Sequence, residues 1–130
     1  MGRRLRRETI VGMLDTSITL LEKAMVGAGA RHDALAANVA NANTPGYKRV
    51  DVDFHSALSA ALDSSDRDKS LANIQFTAEQ DGSGAVRADG NGVDVDHEMA
   101  ALTENNLEFQ AIAGVLRQQF RTLETVIGSR

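Results

Sequence analysis

The stretch ALAANVANANTPGYKRVDVDF, Ala34 to Phe54, decides how the rest of this chain is read. It begins inside a helical pattern, passes through Asn38, Asn41 and Asn43, and reaches the single proline at Pro45 and the single tyrosine at Tyr47. Asn38 and Asn41 are poor choices for a helix interior, because an amide side chain competes for nearby backbone groups. Asn43 falls just past the expected helix end, where its side chain can satisfy free carbonyls or form an Asx turn. Thr44 precedes proline and is biased away from helical dihedrals. Pro45 and Gly46 suit the central positions of a type II turn, with Gly46 accepting positive φ. Tyr47, Lys48 and Arg49 lead into VDVDF, which alternates as a short strand or extended segment does. One asparagine would suffice as a cap, so two of the three remain to be explained.

Upstream of this corner the apolar residues fall at alternating steps of four and three. Leu14, Ile18, Leu21, Met25, Ala28, His32, Leu35 and Val39 keep that rhythm, with His32 the one polar member. The spacing places them on one stripe of a helix over 13–43, as in the seam of a coiled coil. Such a helix is about 45 Å long, with Asp15, Thr16 or Ser17 to cap its start. The C-terminal segment, 94–128, repeats the rhythm with Met99, Leu102, Asn106, Phe109, Ala113, Leu116, Phe120, Leu123 and Ile127. Ile112 and Val126 widen that stripe toward a second neighbour. Asp94 or Asp96 is its expected N-cap and Gly128 its C-cap. Two matching seams at the chain ends predict a mainly α fold: an antiparallel, coiled-coil-like hairpin of long terminal helices. The apolar seam residues are too few to order such long helices alone, so the isolated monomer is expected to be marginal and assembly to complete the fold.

Between the helices, residues 44–93 read as the corner followed by a variable, irregular or short-β segment. A short helix over 56–62 and short strands at 74–77 and 85–87, flanking a turn at Asp81-Gly82, are expected there. Residues 1–12 hold Arg3, Arg4, Arg6 and Arg7 against Glu8 alone and read as a basic, disordered leader. Asp15, Glu22 and Lys23 interrupt the apolar run that a signal peptide would need. Nucleic-acid contact by the arginines lacks a basic face or stacking aromatics to support it.

Composition narrows the function classes further. The 130 residues are 42% apolar and 25% charged, which suits neither a disordered chain nor a membrane-embedded one. Four Phe, one Tyr and no Trp leave little aromatic bulk for a core. Absence of cysteine excludes disulfides, thiolate chemistry and Cys-based zinc sites. Asp81, Asp89, Asn91, Asp94 and Asp96 imitate a calcium loop, but the spacing fails the EF-hand pattern and suits turns and caps instead. His32, His55 and His97 form no metal-binding doublet, and Ser83 in DGSGAV lacks the strand and helix of a nucleophile elbow. The expectation is a non-enzyme with no metal, cofactor or small-molecule substrate.

LAANVANANTPGYKR, Leu35 to Arg49, resembles the signature of the flagellar axial proteins, the family of bacterial rod and hook subunits. Asn38, Ala40, Asn41, Thr44, Pro45, Gly46, Tyr47 and Lys48 carry the likeness. Asp89 to Gly128 is similar to the C-terminal region of a proximal rod subunit of that family, with Phe109-Gln110-Ala111 where other rod and hook subunits tend to show Arg-Ala-Tyr-Gln-Ala-Asn. The resemblance implies a structural subunit that polymerises through its terminal helices into the periplasmic rod, exported by the flagellar type III apparatus without a cleaved signal. Implied partners are copies of itself, other rod proteins, the rod–ring adaptor and the inner-membrane ring. Leu14, Ile18, Leu21, Met25, Leu35, Val39, Leu102, Phe109, Leu116, Phe120 and Leu123 are the expected assembly residues of the helices. Asn38, Asn41, Thr44, Pro45, Gly46 and Tyr47 are those of the corner. A generic coiled-coil adaptor is the competing expectation, and nucleic-acid binding through the leader a third.

Overall fold

A computed structural model describes residues 2–128, and of residues 2–8 the backbone alone. Helix α1 spans Gly2–Ala40, strand β1 Val50–Asp51, α2 Phe54–Leu62, α3 Arg67–Ala72, β2 Glu79–Gln80 and α4 Val95–Gly128. The two long helices pack side by side as a hairpin. Asn38 of α1 meets Glu98 of α4, while Ala28 meets Asn105, so the chains of the two helices run antiparallel.

Helix α1 starts at Gly2 rather than at Met13, so residues 2–12 continue the helix instead of forming a separate leader. At 1.5 Å per residue it is about 58 Å long. Thr16 and Ser17 consequently sit inside it, and their hydroxyls donate back to the carbonyls of Gly12 (3.1 Å) and Met13 (2.9 Å) instead of capping. The helix ends at Ala40 and closes through tight turns, with Asn41 N–H donating to Ala37 O and Ala42 N–H to Val39 O.

The middle of the chain folds back along α1. Asp53 caps α2 by accepting from Ser56 N–H (3.1 Å), and Asp66 caps α3 by accepting from Lys69 N–H (3.2 Å). The α3 turn is tied to α1 where Thr16 donates to Asp68 (2.9 Å) and Lys23 to the Ala72 carbonyl (3.3 Å). Strands β1 and β2 form an antiparallel pair with Val50 opposite Gln80 and Asp51 opposite Glu79. Strands expected at 74–77 and 85–87 are absent. Ile74 and Phe76 instead lie in an irregular stretch and pack on the core, while Ala85 to Arg87 is exposed.

That core is small and rests on the middle of α1. Ala24, Ala28, Ala34, Val52, Phe54, Leu58, Ala61 and Leu71 are its buried members. Small residues on α1 let the other elements come close. At Gly27 an added Cβ would fall 2.6 Å from Phe54 Cβ, so the aromatic ring sits where any side chain would be. Phe54 in turn meets Phe76 edge-on, with centroids 6.5 Å apart.

Candidate functional site

The corner gives Asn38 and Asn41 separate tasks, while Asn43 is exposed. Asn38 is fully buried, and its amide pairs with both backbone groups of Val50 as a neighbouring strand would. Nδ2 donates to the Val50 carbonyl (2.7 Å) and Oδ1 accepts the Val50 N–H (3.0 Å). The second Nδ2 hydrogen reaches Glu98 Oε2 (3.0 Å), and the Tyr47 hydroxyl donates to Asn38 Oδ1 (3.4 Å). Asn41 has a different task. It donates to the Ala37 carbonyl (2.9 Å), closing the helix end, and accepts from the Thr44 hydroxyl (3.2 Å). Thr44 to Tyr47 then forms the expected turn, with Tyr47 N–H donating to Thr44 O (3.2 Å) and Gly46 at φ +72°.

A second segment, Arg87 to Val93, locks this turn from behind. Gly46 N–H donates to Asp89 O (2.9 Å) and Gly92 N–H to Tyr47 O (3.1 Å). Asn91, fully buried, donates to the carbonyls of Asn41 (2.9 Å) and Thr44 (2.7 Å) and accepts the Val93 N–H (2.8 Å). Arg87 reaches the Ala42 carbonyl (2.6 Å). Gly90, at φ +79°, passes so close to the turn that a Cβ would lie 3.4 Å from Gly46 Cα. The acidic residues that imitated a calcium loop serve as turns: Asp81, Asp89 and Asp94 each accept the N–H two residues on. Among the described residues no group of three or more His, Asp or Glu is arranged to hold a metal ion.

Below the corner lies a buried charge network. Arg49 donates from Nε to Glu98, from Nη1 to Asp81 and from Nη2 to Asp51 (3.2 Å). Arg31 of α1 adds a two-pronged contact to Asp51 (2.9 and 3.4 Å). One guanidinium therefore joins α4, β1 and the loop after β2, while Asn38 joins the same carboxylate to α1. Burial opposes charge on both Arg49 and Asp51, yet is outweighed. Glu98 and Asp51 raise the Arg49 pKa, while Arg31, the Val52 N–H and Arg49 hold Asp51 below the usual carboxylate range. The Ser83 hydroxyl and N–H do the same for Asp81, and the Asn91 N–H followed by Arg87 for Asp89. Sequence reading missed Arg49, Asn91 and Glu98. Their signal was only that a charged or amide residue interrupts or borders an apolar pattern.

On the helices, the expected seam and the face that α4 turns toward α1 are neighbours rather than the same. Glu98, Ala101 and Asn105 are the buried residues of α4, with Glu108 and Ile112 half-buried in line with them. The expected seam lies one position over. Leu102, Leu116 and Leu123 are half-buried, but Met99 (51% exposed), Phe109 (37%), Phe120 (46%) and Ile127 (70%) face outward. On α1, Leu35 and Ala28 are buried, Leu14, Ile18, Leu21, Met25 and Val39 half-buried, and His32 exposed. Polar contacts thus fix the upper half of α4 to the hairpin, leaving part of its apolar stripe uncovered.

The family model described as flagella basal body rod protein matches residues 21–48, which hold the second half of α1 and the turn. The flagellar basal body rod protein FlgB of Salmonella typhimurium (strain LT2) is 30% identical over 130 residues, covering 88% of this chain and 94% of that protein. FlgB of Bacillus subtilis (strain 168) is 29% identical over 125 residues (90% and 97%), and FlgB of Escherichia coli (strain K12) 28% over 132 (89% and 96%). The chain belongs to the FlgB family of flagellar basal body rod proteins.

Proposed function

We propose that this chain is a structural subunit of the proximal flagellar rod, polymerising through its terminal helices into the periplasmic drive shaft. The observation that carries the reading is the apolar stripe of Met99, Phe109, Phe120 and Ile127, exposed on a chain whose relatives are named as rod proteins. Exposed apolar surface of this kind on a lone helix is covered when identical hairpins stand side by side. Contacts between different faces of successive copies build an open helical array, as a shaft requires. Other rod proteins, the rod–ring adaptor and the inner-membrane ring are the partners in this reading. The flagellar export apparatus delivers the chain without cleaving a signal. No described helix is long and apolar enough to cross a membrane. The corner, pinned by Asn38, Asn41 and Asn91, holds Thr44 to Gly46 exposed and rigid at the end of the hairpin for contact with a neighbour.

Complementation tests this. A strain lacking its own copy is supplied with the wild type or with Phe109→Ser/Phe120→Ser, and basal bodies are isolated. The reading expects rods with the wild type and none with the variant, although the variant is still secreted. A variant that restores motility would overturn it, as would a wild type that purifies as a discrete dimer or tetramer and never enters the basal body.

A further inference from the structure

Asn91-Gly92 is the chain's one Asn-Gly pair, and the fold treats its two members very differently. Asn91 is fully buried, with its amide hydrogens donated to the carbonyls of Asn41 (2.9 Å) and Thr44 (2.7 Å). Its Oδ1 accepts the Val93 N–H (2.8 Å). Gly92, by contrast, has no structural need to be glycine. Gly46 and Gly90 are the glycines with positive φ among the described residues. At Gly92 an added Cβ would meet nothing closer than Arg49 N at 4.0 Å, so alanine fits there. What glycine changes at this position is reactivity, because no side chain hinders its backbone nitrogen from reaching the side chain before it.

We propose that Asn91-Gly92 is a self-modification site that the closed corner holds shut. In an unfolded chain the Gly92 nitrogen attacks Asn91 Cγ. A bond forms between them, the Cγ–Nδ2 bond breaks, and Nδ2 leaves as ammonia carrying the proton that Gly92 gives up. Water then opens the resulting succinimide at either carbonyl, leaving aspartate or isoaspartate. In the folded chain the reacting groups are engaged elsewhere. The Gly92 N–H donates to the Tyr47 carbonyl (3.1 Å), Nδ2 is held by two carbonyls, and the Asn91 side chain is shielded from water. The product in turn cannot close the corner. Aspartate sets a buried carboxylate against the Asn41 and Thr44 carbonyls in place of two donated bonds, and an unpaired buried charge is strongly unfavourable. Isoaspartate adds a carbon to the main chain and draws the Gly92 N–H away from Tyr47. Folding and modification therefore exclude each other, and a chain left unfolded loses its competence to fold.

The test ages the full chain in warm, mildly alkaline buffer, either native or unfolded in guanidinium chloride. Fragment-ion mass spectrometry then reads the peptide that holds Asn91. The unfolded chain should exchange the Asn91 amide for a carboxyl, with the corresponding gain in mass. The native chain should do so at least about tenfold more slowly, because it reacts only through its open fraction. Isomerisation at Asp81-Gly82 or Asp89-Gly90 leaves the mass unchanged and does not enter this signal. Gly92→Ala, compared in guanidinium chloride where its fold is irrelevant, should convert on the order of tenfold more slowly than the wild type. After dilution into native buffer, the refolded fraction of aged wild type, read by circular dichroism, should fall in step with conversion at Asn91. No conversion at Asn91 in guanidinium chloride, or conversion of Gly92→Ala at the wild-type rate, overturns the site. Equal conversion with and without denaturant, or full refolding of the converted chain, overturns its closure by the corner.

Discussion

At the scale of single residues, the corner shows amides doing what a strand or a cap does elsewhere. Asn38 offers Val50 both a donor and an acceptor, so β1 is paired on one side by β2 and on the other by a side chain of α1. Asn38→Ala removes these bonds from a buried site and strips Glu98 of one partner. We expect a loss of about 2–4 kcal/mol in denaturant unfolding, more than a single exposed hydrogen bond is worth. Gly46→Val places a β-branched residue at φ +72° and should cost about 1–3 kcal/mol by the same measurement. Combined with Pro45→Ala, it should block incorporation more than secretion, and equal loss of both would assign the corner to export. Acid should weaken the fold in a definite direction. Asp51, Asp53, Asp81 and Asp89 are all held below the ordinary carboxylate value when folded. The unfolded chain therefore binds more protons in the window between the folded values and about 3.9, and stability rises with pH there. It should be complete near neutrality and fall as the pH drops below about 4, measured as the denaturation midpoint at a series of pH values.

At the scale of elements, the terminal helices were legible because their 3–4 rhythm is long and almost unbroken. Asp94 was a readable cap because it stands two and three residues before the amides that it accepts. The turn was legible from Thr44-Pro45-Gly46 alone. What the rhythm hid was which face points where. A one-residue offset on a helix is a rotation of about 100°, and the line Glu98, Ala101, Asn105, Glu108, Ile112 looks too polar to be an inward face. It faces inward because Arg49, Ala28 O and His55 lie opposite its polar members. The start of α1 was misplaced because a run of arginines reads as a tail although arginine is a good helix former. The central segment was illegible because Asn91 and Arg87 act on partners nearly fifty residues away. This division of faces separates folding from assembly by mutation. Leu35→Ala, at a fully buried position, should cost about 2–5 kcal/mol in unfolding. Phe109→Ser with Phe120→Ser, at exposed positions, should leave the monomer within about 1 kcal/mol of the wild type while abolishing assembly.

At the scale of the whole molecule, a small alanine-rich core and a polar clamp hold together two helices much longer than the core itself. The ends of both helices run past α2 and α3 into solvent, with Ile10, Val11, Met13, Val126 and Ile127 exposed. Such ends gain little from the chain that carries them, so helical order there should rise when copies meet. Circular dichroism on a dilution series should show helicity falling toward the monomer, with amide exchange fastest in the outer turns of α1 and α4. The most direct test is a density map of the intact basal body containing this chain. It should show α1 and α4 antiparallel in each subunit, with Met99, Phe109 and Phe120 packed against a neighbouring copy or another rod protein. Subunits in which that stripe faces water, or in which the two helices have come apart, would contradict the account.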